Sequence, residues 1–111
     1  MDQAIKAMSD CYLACTKTIQ HCLEMGSKHA SPEHINILID CARVCNMASD
    51  FACRKSENHK EICDLCAEIC RQCADACESM ADGDQEMLKC AEICRKCADE
   101  CENMADSKPR L

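Results

Sequence analysis

Cys66-Ala67-Glu68-Ile69-Cys70-Arg71-Gln72-Cys73-Ala74-Asp75-Ala76-Cys77 decides the fold, because cysteine returns at steps of four, three and four. That alternation places every cysteine on one stripe of an α-helix, the seam that faces the centre of a bundle. The stretch comes back 24 residues later as Cys90-Ala91-Glu92-Ile93-Cys94-Arg95-Lys96-Cys97-Ala98-Asp99-Glu100-Cys101. The match continues through Met80-Ala81-Asp82 and Met104-Ala105-Asp106. Two copies are too few for a solenoid and read as a duplicated helix.

Outward from this pair, Cys63 extends the third stripe, and Cys11, Cys15 and Cys22 make a first one with steps of four and seven. Cys41, Cys45 and Cys53 make a second, but its last step of eight drifts off the seam, so Cys53 is the least aligned. Gly26, the Ser31-Pro32 start, Asn58 with Glu61 three residues on, and Asp82-Gly83-Asp84 punctuate the chain as helix stops and N-caps. Four helices follow, over about 2–25, 32–55, 59–81 and 85–105. Near-equal lengths and short connections predict an all-α fold, an antiparallel four-helix bundle with a cysteine-lined core. Residues 1–106 form one domain, and the tail 107–111, with Pro109, is expected to be disordered.

Folding these hairpins and measuring depth from the Gly26/Gly83 end predicts layers of sulfur. Cys22, Cys77 and Cys90 come first, then Cys15, Cys41, Cys73 and Cys94. Cys45, Cys70 and Cys97 follow, then Cys11, Cys66 and Cys101, with Cys53 and Cys63 at the far end.

The rest of the composition agrees. Of 111 residues, 15 are Cys, two are aromatic (Tyr12 and Phe51) and none is Trp. Large aliphatics are too few for an ordinary core. The net charge is −7, with 20 acidic and 13 basic residues and no basic cluster longer than two, which disfavours nucleic acid and anionic membrane as partners. No apolar run reaches membrane-span length. The N-terminus lacks the blocks of a signal peptide, so a cytoplasmic location is expected. Cytoplasmic thiols stay reduced, which favours metal over disulfides. Neighbours at i,i+3 and i,i+4 also sit too far apart for disulfides. No Ser/His/Asp set, phosphate loop or paired carboxylates suggests an enzyme.

Thiolate-only donors select Cu(I), Zn(II) or iron–sulfur clusters. A Zn(Cys)₄ site keeps a charge of −2, and several in one tube would be costly to desolvate. Cu(I) and thiolate in equal number are neutral, so bridging thiolates can fill a dry tube with many ions, on the order of one per cysteine. An iron–sulfur centre is the weaker alternative: Cys63-Asp64-Leu65-Cys66 offers a start, but the terminal Cys-Pro of the ferredoxin run is absent.

Stripes such as Cys-Ala-Glu-Ile-Cys-Arg-Lys-Cys-Ala-Asp-Glu-Cys make the chain, over residues 2–106, resemble the bacterial copper storage proteins, cysteine-rich four-helix bundles filled with Cu(I)–thiolate clusters. The resemblance implies copper storage and detoxification, a homotetramer of bundles and, without a signal segment, the cytosolic form. The richest cytosolic members carry more cysteines, so filling is less assured along helices 1 and 2.

Met25, His34, Met80 and Met87 stand three or seven residues from seam cysteines at the Gly26/Gly83 end. They read either as a capture site for Cu(I) or as a plug of the bundle end. Met8, His59 and Met104 map to the other end, whereas His21 and His29 read as surface residues. Ile5, Tyr12, Ile19 and Ile37, Val44, Phe51 repeat at seven beside the seam, as helix flank packing or as an interface between bundles.

Overall fold

A computed structural model describes residues 2–106. Four α-helices carry the chain: α1 Asp2–Met25, α2 Pro32–Cys53, α3 His59–Met80 and α4 Gln85–Asp106, with a short 3₁₀ turn Ser27–Ala30 between the first two. Each helix packs on its chain neighbours, and α1 closes the ring against α4. All four contacts run antiparallel. Cys11 meets Cys94 while Cys15 meets Cys90, and Cys41 meets Cys70 while Cys45 meets Cys66. Cys11 meets Cys41 while Cys22 meets His34, and Arg71 reaches Asp99 while Arg95 reaches Asp75. The expected tail 107–111 lies outside the described residues.

Local chemistry explains most boundaries. Ser31 Oγ accepts from the His34 N–H at 3.3 Å, with Pro32 opening α2. Asp84 accepts from the Met87 N–H at 2.9 Å and caps α4. Gly26 and Gly83 supply the positive φ values, 72° and 85°, that turn the chain. Two expectations need correcting. α2 stops at Cys53 because Lys55 turns to φ 56° and the Ser56 N–H returns to the Phe51 carbonyl at 2.9 Å, the 6→1 bond of a Schellman ending. Asn58 makes no side-chain cap; the turn before α3 is held through Ser56, whose Oγ accepts from the Asn58 N–H and whose carbonyl accepts from the His59 N–H.

The duplicated helices meet across a local two-fold. Arg71 reaches Asp99 and Glu102 on α4, and Arg95 reaches Asp75 and Glu78 on α3, positions that correspond under the 24-residue repeat. Ile5, Tyr12, Ile19 and Ile37 are half-buried against the core and Val44 is buried within it, as flank packing requires, whereas Phe51 is half-buried outside that cluster with Arg54 over its ring.

At the Gly26/Gly83 end, the 26–31 connection is tied across the 81–84 connection. Lys28 pairs with Asp82, and His29 Nε2 lies 3.0 Å from the Met80 carbonyl. His21 Nε2 lies 2.9 Å from Asp84, so His21 is not a free surface residue. The hydrogen bond to Asp84 raises the His21 pKa, while the Met87 N–H and then His21 lower that of Asp84. The pair's contribution is therefore complete below the ordinary histidine range and is lost as pH rises through the raised value. On the acid side it is lost as pH falls through the lowered Asp84 value. Asp84→Ala is expected to lower metal-free stability by about 1–2 kcal/mol through the lost cap. Thermal melts of the variant should also lose most of the decline in stability expected of the parent as pH rises through the raised His21 value.

Candidate metal centre

The stripes converge on the bundle axis. Fourteen of the fifteen cysteines are buried, and all fifteen are free thiols. The densest region takes two from each helix: Cys11 and Cys15, Cys41 and Cys45, Cys66 and Cys70, Cys94 and Cys97. Neighbouring sulfurs stand 3.5–4.0 Å apart, from Cys45–Cys70 at 3.5 Å to Cys11–Cys15 at 4.0 Å. Three four-sulfur groups overlap there: Cys11/Cys41/Cys45/Cys70, Cys11/Cys15/Cys41/Cys94 and Cys45/Cys66/Cys70/Cys97. Each shares two sulfurs with a neighbour, so the eight thiols form one continuous net.

Beyond the net only α3 and α4 keep an unbroken wall of sulfur. Cys73, Cys77 and Cys90 continue it toward Cys22 at one end, and Cys63 and Cys101 toward the other. On the facing helices the buried seam positions hold Thr18, Leu38, Ala48 and Ala52. The net is a thiol hydrogen-bond network. Cys11 is held down by the thiols of Cys15, Cys41, Cys45 and Cys70 around it, whereas Cys15, Cys45, Cys70 and Cys94 are pushed up, first by their bonds with Cys11. At the margin, burial and then the Asp84 carboxylate push Cys22 up to about 11, so it is a neutral thiol at neutral pH.

Three placements differ from the sequence reading. Cys53 is exposed: Ala52 stands seven residues after Cys45 and takes the inward position, and one further residue rotates Cys53 about 100° away. Cys11 lies with Cys41 and Cys94 rather than with Cys66 and Cys101, so α1 sits about one turn nearer the Gly26/Gly83 end. The 3₁₀ turn Ser27–Ala30, absent from a simple hairpin count, takes up that length. Met25, on the overhanging last turn of α1, is 40% exposed and does not join His34 (2%) and Met87 (0%), while Met80 is half-buried. His34 Nε2 meets Cys22 Sγ at 3.4 Å, and its buried Nδ1 has no partner among the described residues. Burial, then His29, lowers the His34 pKa and keeps the ring neutral. At the other end Met8 and Met104 are buried where the sequence places them, and Cys63 Sγ stands 3.5 Å from Met104 Sδ. His59 Nδ1 is engaged by the Ser56 carbonyl at 2.8 Å.

A family model described as copper storage protein matches residues 1–106. An uncharacterized cysteine-rich protein YhjQ of Bacillus subtilis (strain 168) is 36% identical over 67 residues, 60% of this chain and 62% of that protein, so the match spans less than two thirds of the relative's length. The Cu(I)-bound copper storage protein BsCsp3 superposes with a TM-score of 0.87 at 34% identity, covering 94% of this chain and 96% of that one. A cytosolic copper storage protein from Streptomyces lividans, solved during copper loading with five coppers, superposes with a TM-score of 0.85 at 25% identity, covering 98% and 94%.

The burial pattern gives a chemical signature. In the native metal-free protein one thiol of the fifteen, Cys53, is expected to react promptly with a water-soluble disulfide reagent, and the other fourteen only on unfolding. Cys53→Ser should abolish the fast phase, and several fast thiols in the parent would contradict the sealed core.

Proposed function

The chain belongs to the copper storage protein family, and we propose that it stores and detoxifies copper by holding many Cu(I) ions as thiolate clusters on its fourteen buried cysteines. The observation that carries this reading is the sharing of sulfurs among the central groups. Separate Zn(Cys)₄ sites each need four thiolates of their own, so eight thiols could supply two at most, each still charged −2. Bridged Cu(I) uses every shared sulfur twice and leaves the net neutral, which a dry core requires.

The protein's own part is to hold thiols within bridging distance and to keep water out. Thiols that are protonated before loading must lose their protons to bind, so uptake releases acid. His34 offers a neutral imidazole beside Cys22 as a further ligand, with Met80 and Met87 at the same end. Met25 and Cys53 stand outside the tube and are not assigned ions. The role is storage without catalysis, in a single domain over residues 1–106. A reducing cytoplasm suits it, since free thiols persist there, and the Streptomyces neighbour is described as cytosolic. Among the described residues no helix is long and apolar enough to cross a membrane. The homotetramer implied by the family would draw on the exposed Leu23, Met47, Leu65 and Leu88.

Titration of the reduced protein with Cu(I) is expected to saturate at roughly fourteen ions per chain, one per buried thiol, with about one proton released per ion into a weakly buffered solution. Cys53→Ser should leave both values unchanged. Saturation at one to three ions, or Zn(II) filling to the same extent, would overturn the storage reading.

A further inference from the structure

A groove of about 560 Å³ runs between α1 and α4, within the ~300–1,000 Å³ range of small-molecule sites. Its floor includes Thr18, 2% exposed, and Cys90, 1% exposed. The wall of the tube is thin here because α1 turns small residues, Ala7, Ala14 and Thr18, toward α4. Thr18 occupies the seam position between Cys15 and Cys22. Behind it, Cys90 Sγ stands 3.9 Å from Cys15, which is 3.8 Å from Cys94. A metal ion at Cys90 is thus one sulfur from the central net.

Side chains cover both bundle ends among the described residues. One is tied across by Lys28–Asp82 and by His29 on the Met80 carbonyl, over the buried His34 and Met87. The other is filled by Met8 and Met104.

Charge says what the groove receives. Lys17, Lys89 and Lys96 line it, and the lysines in ion pairs among the described residues are others, Lys6, Lys28 and Lys60. Its carboxylates are already engaged, Asp10 by Lys6 and Glu86 by His21. The lining carries three lysines against two carboxylates, an excess of one positive charge on a chain of net charge −7, beside a buried thiol.

We propose that the groove is a side entrance at which a Cu(I) complex of a small anionic thiol docks on Lys17, Lys89 and Lys96 and passes its ion to Cys90. This rests on the storage reading. The transfer is a ligand exchange without redox change. A bond from Cu(I) to Cys90 Sγ forms as the bond to the carrier sulfur breaks, the Cys90 proton leaves with the departing thiolate, and copper remains Cu(I). Once seated, the ion moves inward by exchange onto Cys15.

The test is stopped-flow uptake by the full chain from the Cu(I)–glutathione complex, compared with Cu(I) held by acetonitrile. The triple charge reversal Lys17→Glu, Lys89→Glu, Lys96→Glu should slow transfer from the glutathione complex about tenfold at low salt, with the difference shrinking at high salt. It should not slow transfer from the acetonitrile donor, and the final number of ions should equal that of the parent. Ala14→Trp, which fills the groove and leaves its charges in place, should slow uptake from both donors while the circular dichroism stays helical. Parental rates in the charge-reversed protein would overturn the proposal. So would a changed oligomeric state in sedimentation, which would mean that a second copy of the chain covers the groove. A parent that saturates at a few ions fails the storage reading itself, whereas a parent that fills normally beside variants of unchanged rate fails only the entrance.

Discussion

Electroneutrality in a dry core is the constraint on which this molecule depends. A column of thiols is acceptable inside a bundle only while each sulfur carries a proton or shares a cation, because an unpaired thiolate there would cost far more than a helix bundle has to spare. The protonated state packs as a small hydrophobe, so the same side chains can serve as core and as ligands. Sulfur and alanine fill the space that leucine and phenylalanine fill in other bundles. The apolar burial per residue is correspondingly low, and the outer faces carry more of the work of positioning the helices.

That work is visible on α3 and α4, the two helices with continuous sulfur walls. Arg71 and Arg95 each bridge to two carboxylates of the opposite helix, and the bridges are copies of one another under the 24-residue repeat. Each exposed pair is worth little alone. Their geometry nonetheless fixes the axial register of the pair, which sets which cysteines face each other. Half-buried isoleucines pack against the core from every helix, Ile5 and Ile19 on α1, Ile35 and Ile37 on α2, Ile62 and Ile69 on α3 and Ile93 on α4.

The helices and their inward faces were legible because a step pattern of three and four has one structural meaning, and because Ser31-Pro32 and Asp82-Gly83-Asp84 are unambiguous punctuation. Axial register was not legible. It depends on how much length a connection absorbs, and nothing in Gly26-Ser27-Lys28-His29-Ala30-Ser31 announces a 3₁₀ turn. Hence the hairpin count puts Cys11 two layers too deep and Met25 on a seam that it overshoots. Cys53 carried its own warning in the step of eight. The α1–α4 groove had no signal at all, since Ala7, Ala14 and Thr18 open a gap only when the helix facing them is known.

The seam residues that are not cysteine fall almost entirely on α1 and α2, and Thr18, Ala48 and Ala52 among them are close to cysteine in size or smaller. A thiol at any of these positions would enter a site that is already buried, already aimed at the axis and already flanked by sulfur. The scaffold therefore separates how much it holds from how well it folds. Its inventory can grow or shrink by single substitutions along one half of the bundle, while the other half, with its duplicated stripes and arginine bridges, keeps the architecture constant.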